Sequence, residues 1–171
     1  MTAYLGLPEH TGLYAQYRDT FLKIGITTLN VNCTSMRLKI NGQAVATTVN
    51  VNNTGASGLD VGLEAMLYKG TNVTSMNVQK GSVGVAVFGG ETSTITTLRV
   101  GTDATPTTDA TVRCSSGVTL TTVNKSGGVL QLDGATTSIT QIAGDLTIWS
   151  GAHTTLHHDG GNLYYRGTGT V

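Results

Sequence analysis

Charge is scarce in this chain of 171 residues. Only 12% are Asp, Glu, Lys or Arg, and ten acids balance ten bases to a formal net charge of zero. That removes the field by which a protein collects nucleic acid or settles on an anionic membrane surface. Aromatics are also few, at 5%, and proline and cysteine each appear twice. Cys33 and Cys114 lie far apart, with no CxxC spacing and no adjacent His. They read as small buried thiols in a reducing compartment rather than a disulfide or a metal pair. The longest apolar run, Val83-Gly84-Val85-Ala86-Val87-Phe88, is far short of the roughly 18 residues that span a bilayer. Residues 1–17 mix Pro8, Glu9, His10 and Gln16 without a basic or apolar stretch. The expectation is therefore synthesis in the cytoplasm without a secretion signal. Matches to the glycosylation pattern, such as Asn72-Val73-Thr74, then follow from the abundance of Asn and Thr.

What the chain has instead is 31 Thr, 23 Gly and recurring aliphatics, with too little charge for a disordered chain. Its length suits one domain with a sizeable core. Three C-terminal segments align: Thr122 to Leu132, Ser138 to Ile148 and Thr155 to Tyr165. In each, a hydroxyl residue precedes an aliphatic one, a Gly follows five positions after that aliphatic, and an x-Leu-x-apolar strand follows the Gly. These glycines, Gly128, Gly144 and Gly161, are 16 and 17 residues apart. Small-residue corners close the units at Asp133-Gly134-Ala135, Ser150-Gly151-Ala152 and Gly167-Thr168-Gly169. Upstream, Thr28-Leu29-Asn30-Val31, Thr48-Val49-Asn50-Val51, Ser75-Met76-Asn77-Val78 and Thr97-Leu98-Arg99-Val100 repeat the first half of the unit. Residues 53–58 and 102–109 read as loops inserted between units.

Short β-branched runs with period-2 alternation mark strands with one buried face. Gly at a fixed offset supplies a corner. Strand, corner, strand, corner at 16 to 17 residues predicts an all-β fold, a parallel β-helix (β-solenoid) with short rungs at its C-terminal end. One such rung cannot bury its inner face alone; stacked rungs share a core. Val123, Ile139 and Leu156 are expected to stack inside, as are Leu130, Leu146 and Leu163. A sandwich or jelly roll is the competing fold, but it needs hairpin turns, and only Asn41-Gly42 and Asp133-Gly134 qualify.

Residues 1–26 differ from the solenoid expected over 27–171. They lack the repeat and hold three of the six Tyr residues. Tyr4, Leu5, Leu7 and Pro8 form an apolar extended run. Tyr14, Tyr17, Phe21 and Ile24 are spaced as one side of a short helix over 14–24. The segment is expected to cap the first rung, to dock on another protein, or to do both.

Candidate chemistry is sparse. His153, His157, His158 and Asp159 carry metal-ligand and acid–base groups, but His157 and His158 are strand neighbours and are expected to face opposite ways. In a trimer, either would form a ring about the threefold axis. Asp133, Asp145 and Asp159 occupy different places in the repeat, so paired-carboxylate chemistry is not expected, and no catalytic, metal or cofactor-binding residue is assigned. Adjacent Thr-Thr pairs, such as Thr27-Thr28 and Thr121-Thr122, are expected to face opposite ways, which argues against a two-file ice-binding surface. The basic residues, Lys125 among them, are scattered singly as on a solvated surface, without a nucleic-acid footprint. Trp149, Tyr164 and Tyr165 have the chemistry to stack on sugars, though aromatics near a solenoid end more often cover a core or an interface.

The repeat style of the rungs 122–132, 138–148 and 155–165, with the Thr, Val, Gly and Asn content and the low charge, resembles the short-rung β-helical virion proteins of bacteriophages. These are capsid decoration proteins, head fibres, tail fibres and tailspike segments. The resemblance covers about residues 27–171. It implies a non-enzymatic structural protein of the virion, a homotrimer attached through its N-terminal segment to the major capsid protein or another virion protein. The chain departs from tailspikes in being short and lacking a stacked acidic groove, which puts receptor hydrolysis in doubt. A carbohydrate-binding or carbohydrate-cleaving β-helix is the alternative class, with a glycan as partner.

Overall fold

The computed structural model describes residues 2–7, 18–22, 26–33, 38–42, 46–52, 66–70, 72–87, 90–101 and 110–167. Among the described residues there is no helix. In chain order the strands are β1 (Thr2–Leu7), β2 (Arg18–Leu22), β3 (Ile26–Cys33), β4 (Leu38–Gly42), β5 (Ala46–Asn52), β6 (Met66–Gly70) and β7 (Asn72–Val85). They continue as β8 (Ser93–Val100), β9 (Ala110–Cys114), β10 (Val118–Lys125), β11 (Val129–Leu132), β12 (Ala135–Gln141), β13 (Asp145–Ile148), β14 (His153–His158) and β15 (Asn162–Tyr165).

Every pairing between these strands is parallel. Because a hairpin can join only antiparallel strands, the sandwich built on Asn41-Gly42 and Asp133-Gly134 is excluded. Two ladders result. The first joins β1, β3, β5, β7, β8, β10, β12 and β14; the second joins β2, β4, β6, β7, β9, β11, β13 and β15. β7 belongs to both. Its residues 72–80 pair with β5 and β8, while residues from Gly81 to Val85 pair with β6 and β9. Elsewhere the chain alternates between ladders, one strand in each.

The core lies between the ladders as one cluster running from Ile26 to Ile148. In β10 the buried residues are Val118, Leu120, Val123 and Lys125, and β8 repeats this with Ser93, Ile95, Leu98 and Val100. Strict alternation would bury 122, not 123. Two successive outward residues, Thr121 and Thr122, mark a bend, so the strand faces the core on both sides of it. The same bend recurs at Thr96-Thr97 and Thr137-Ser138. The Thr-Thr pairs were expected to face opposite ways; both members face outward, because each straddles the bend.

Two of the expected corners show why glycine is required. Gly128 and Gly144 have φ of +64° and +74°, the left-handed region that disfavours other L-residues. A Cβ on Gly128 would collide with the Ala110 carbonyl oxygen, and one on Gly144 with the Gly128 carbonyl oxygen and Lys125 Nζ.

Of the short helix expected over 14–24, the described part is a strand instead, and 14–17 and 23–24 lie outside the described residues. Residues 18–22 form β2, whose register partners are Leu38 to Gly42. Thr2 to Leu7 pair in register with Thr28 to Cys33. Backbone pairing along an existing ladder outweighs a weak local helical spacing. β1 and β2 belong to the same two ladders as the strands that follow. Pro8, Tyr14, Tyr17 and the loops expected at 53–58 and 102–109 lie outside the described residues.

Leu98 is fully buried mid-ladder, between Met76 and Val123, whereas Thr121 is exposed on the neighbouring strand. Leu98→Ala is expected to cost about 2–5 kcal/mol of unfolding free energy and Thr121→Ala at most about 0.5 kcal/mol. Denaturant unfolding of both variants checks this; equal effects would contradict the core assignment.

Candidate functional site

Register pairing sorts the side chains of the first ladder by type. Val123, Ile139 and Leu156 are successive partners, as are Leu130, Leu146 and Leu163 in the second ladder. Val123, Ile139, Leu130 and Leu146 are buried, while Leu156 and Leu163 on the last strands are half-buried and pack on the core. Of the residues expected to dock a partner, Tyr4, Leu5 and Leu7 lie in β1 opposite Asn30, Val31 and Cys33, and Phe21 lies in β2 opposite Asn41.

One inward file changes character along the ladder. Val31, Val51, Val78 and Val100 are in register with Lys125, then Gln141, then His158. Lys125 was expected on a solvated surface. It is 1% exposed, and its Nζ donates to the carbonyls of Gly127, Gly128 and Ala143 at 2.7–2.8 Å. Gln141 is fully buried; its Nε2 donates to the Gly144 and Asn162 carbonyls, and its Oε1 lies 3.1 Å from His158 Nδ1. Three carbonyl acceptors per ammonium make this burial tolerable. The signal was present in the repeat, since Lys125, Gln141 and His158 stand where the upstream units carry Val. Burial pulls the Lys125 ammonium from its ordinary 10.5 down to about 8, opposed by the Asp145 carboxylate.

The His/Asp group does not converge. His157 Nε2 meets Asp159 Oδ1 at 2.9 Å with both side chains mostly exposed. His153 is buried and its Nε2 lies 3.1 Å from the Ser150 carbonyl. Among the described residues no group of three or more His, Cys, Asp or Glu is placed to hold a metal ion. Asp145 accepts from Asn162 Nδ2, and Asp133 sits at a corner beside Cys114. Cys114 is free and buried, which pushes its thiol up to about 12, with the Asp133 charge adding to the shift. Trp149 is 42% exposed and one face is covered by the Arg166 guanidinium at 4.8 Å. Tyr164 is exposed and Tyr165 half-buried against the core.

The outer face of the first ladder is the most organised polar surface. Thr28, Thr48, Ser75, Thr97, Thr122, Ser138 and Thr155 form one unbroken hydroxyl file. Beside it run Asn30, Asn50, Asn77, Arg99, Asn124, Thr140 and His157. Asn50 Nδ2 donates to Asn30 Oδ1 at 2.9 Å and Asn77 Nδ2 to Asn50 Oδ1 at 2.8 Å. Arg99 ends this amide ladder, its NH1 donating to Ser75 Oγ and Asn77 Oδ1. Around it lies a groove of about 520 Å³, with Asn77, Arg99, Gly101, Asn124, Thr140 and Ile142 among its lining residues. Sequence reading missed it, because single polar residues become a surface only once the register is known.

No family model, curated protein or solved structure matches the chain.

Since the Lys125 ammonium is depressed on folding, the folded chain holds fewer protons than the unfolded one between about pH 8 and pH 10.5. Stability therefore rises with pH across that window, and the full cost of the buried charge is present below it. Lys125→Met lacks this titration. The wild type should gain on Lys125→Met from pH 8 to 10.5 in parallel denaturant unfolding series. Tyr68 and Cys114, both pushed up to about 12 by burial, titrate alike in the two proteins and cancel. A difference independent of pH would contradict the assignment.

Proposed function

We propose that the chain is a non-enzymatic structural protein of a bacteriophage virion, a short β-solenoid that assembles as a homotrimer and attaches through its N-terminal end. The observation that carries this reading is the pair of parallel ladders around a continuous core. A chain that alternates strand by strand between two such ladders is built as a solenoid is built, one strand per ladder in each coil. In the last three coils, register partners in both ladders are 16 and 17 residues apart. A stack of this kind sets two ends at a fixed separation, which is what a decoration protein or fibre needs.

The two ends support different roles. β1 and β2 belong to the two ladders, and Tyr4, Leu5, Leu7 and Phe21, which the proposal assigns to docking on the major capsid protein or another virion protein, lie in them. In the C-terminal strands Leu156, Leu163 and Tyr165 are partly buried and pack against the core, with Trp149 and Tyr164 exposed beside them. Partly exposed apolar groups gathered in this way favour a covering partner, and two further copies around a threefold axis would supply one.

Deleting residues 1–26 removes the first coil and should leave the later coils folded but unable to bind particles. Native mass measurement of the full chain should give three copies. Retained particle binding, or a monomer at micromolar concentration, would contradict the proposal.

A further inference from the structure

The groove runs along the outer face of the first ladder from Asn77 to Thr140, and part of its polar lining bonds no described residue. Among the described residues Arg99 donates through Nη1 alone, to Ser75 and Asn77. Guanidinium carries five N–H donors, and Nε–H with the Nη2 pair, which bond no described residue, form a fork of the kind that grips a carboxylate in bidentate fashion. Among the described residues no carboxylate pairs with Arg99. The next groups along the same file, the Asn124 amide and the Thr140 hydroxyl, are half-buried and make no side-chain hydrogen bond among the described residues. Half-buried polar groups without protein partners are the convergent polar groups of a binding site.

The rest of the lining fits a ring-shaped ligand with hydroxyls on its edge. Gly101 has φ of +81°, and a Cβ there would lie 2.6 Å from the Gly127 backbone nitrogen, so glycine is required where this lining segment stacks on the next one. Ile142, 46% exposed, offers an apolar surface beside the polar file. The volume of about 520 Å³ lies within the range of ligand sites.

We infer that this groove binds an acidic oligosaccharide lying along the ladder, with a sugar carboxylate on Arg99 and ring hydroxyls on Asn124 and Thr140. Consecutive strands sit about 4.8 Å apart, so Arg99, Asn124 and Thr140 present one polar group per strand over about 10 Å. That length suits a chain of sugars better than a single small anion. An acidic peptide is the competing occupant. Peptides gain affinity by adding to an open sheet edge, but this groove lies on the face of the ladder, where β8, β10 and β12 pair on both sides and only side chains are offered. The site uses none of Trp149, Tyr164 or the acidic residues, and it does not depend on attachment to a virion.

The test is a calorimetric titration of the full chain with tetragalacturonate, a sialylated oligosaccharide, a neutral tetrasaccharide and tetraglutamate. Saturable binding of at least one acidic saccharide is expected, at least tenfold tighter than the neutral one, with no binding of tetraglutamate. Arg99→Gln keeps an amide within the reach of Asn77 and should weaken the saccharide at least tenfold. Thr140→Val should weaken it severalfold, with both variants melting at the wild-type temperature. Should Arg99→Gln melt early, Thr140→Val and Asn124→Ala carry the same comparison. The inference is overturned if no acidic saccharide binds, if the neutral one binds equally well, if tetraglutamate competes, or if the folded variants bind like the wild type.

Discussion

Parallel, in-register pairing is the constraint on which the rest of this structure depends. When each strand sits directly over the last, every lateral position becomes a file, and a residue has as its nearest neighbours the residues at the same position above and below. A file must then be compatible with itself. Aliphatics stack into a core that no single strand could bury. Amides stack into a hydrogen-bonded file, as in the Asn30, Asn50 and Asn77 series, and hydroxyls line up in a file beside it. Like charges would repel, and this gives the shortage of charge a structural meaning.

The same constraint explains where the molecule departs from its own pattern. Lys125 and Gln141 replace valines in an inward file, and both are satisfied by carbonyls at the adjoining corners, where glycines hold the chain in left-handed conformations. The ammonium thus ties Gly127, Gly128 and Ala143 together where the 16- and 17-residue register spacing begins. Arg99 plays the corresponding part outside, ending the amide ladder and leaving the following positions free for a ligand.

Much of this was legible in the residues. The hydroxyl–aliphatic–polar–Val unit and the glycine five positions after its aliphatic residue placed the strands, the corners and the inward files of 122–165. Three things were not. The bend at each Thr-Thr pair depends on both flanking aliphatics being buried, which simple alternation does not reveal. Residues 18–22 look weakly helical in isolation and become a strand only because β4 lies alongside. The groove consists of residues from four separate strands, each unremarkable by itself, and Lys125 looked like one more surface cation until its position in the file was compared with the valines before it.

The most direct test of the stacked architecture is a distance along it. Thr28 and Thr155 belong to one file, separated by six strand steps through Thr48, Ser75, Thr97, Thr122 and Ser138. Spin labels at these two positions, diluted with unlabelled chain, should show a single narrow distance of about 29 Å at about 4.8 Å per step. A much shorter distance, as a hairpin fold would give, or a broad distribution would contradict the account.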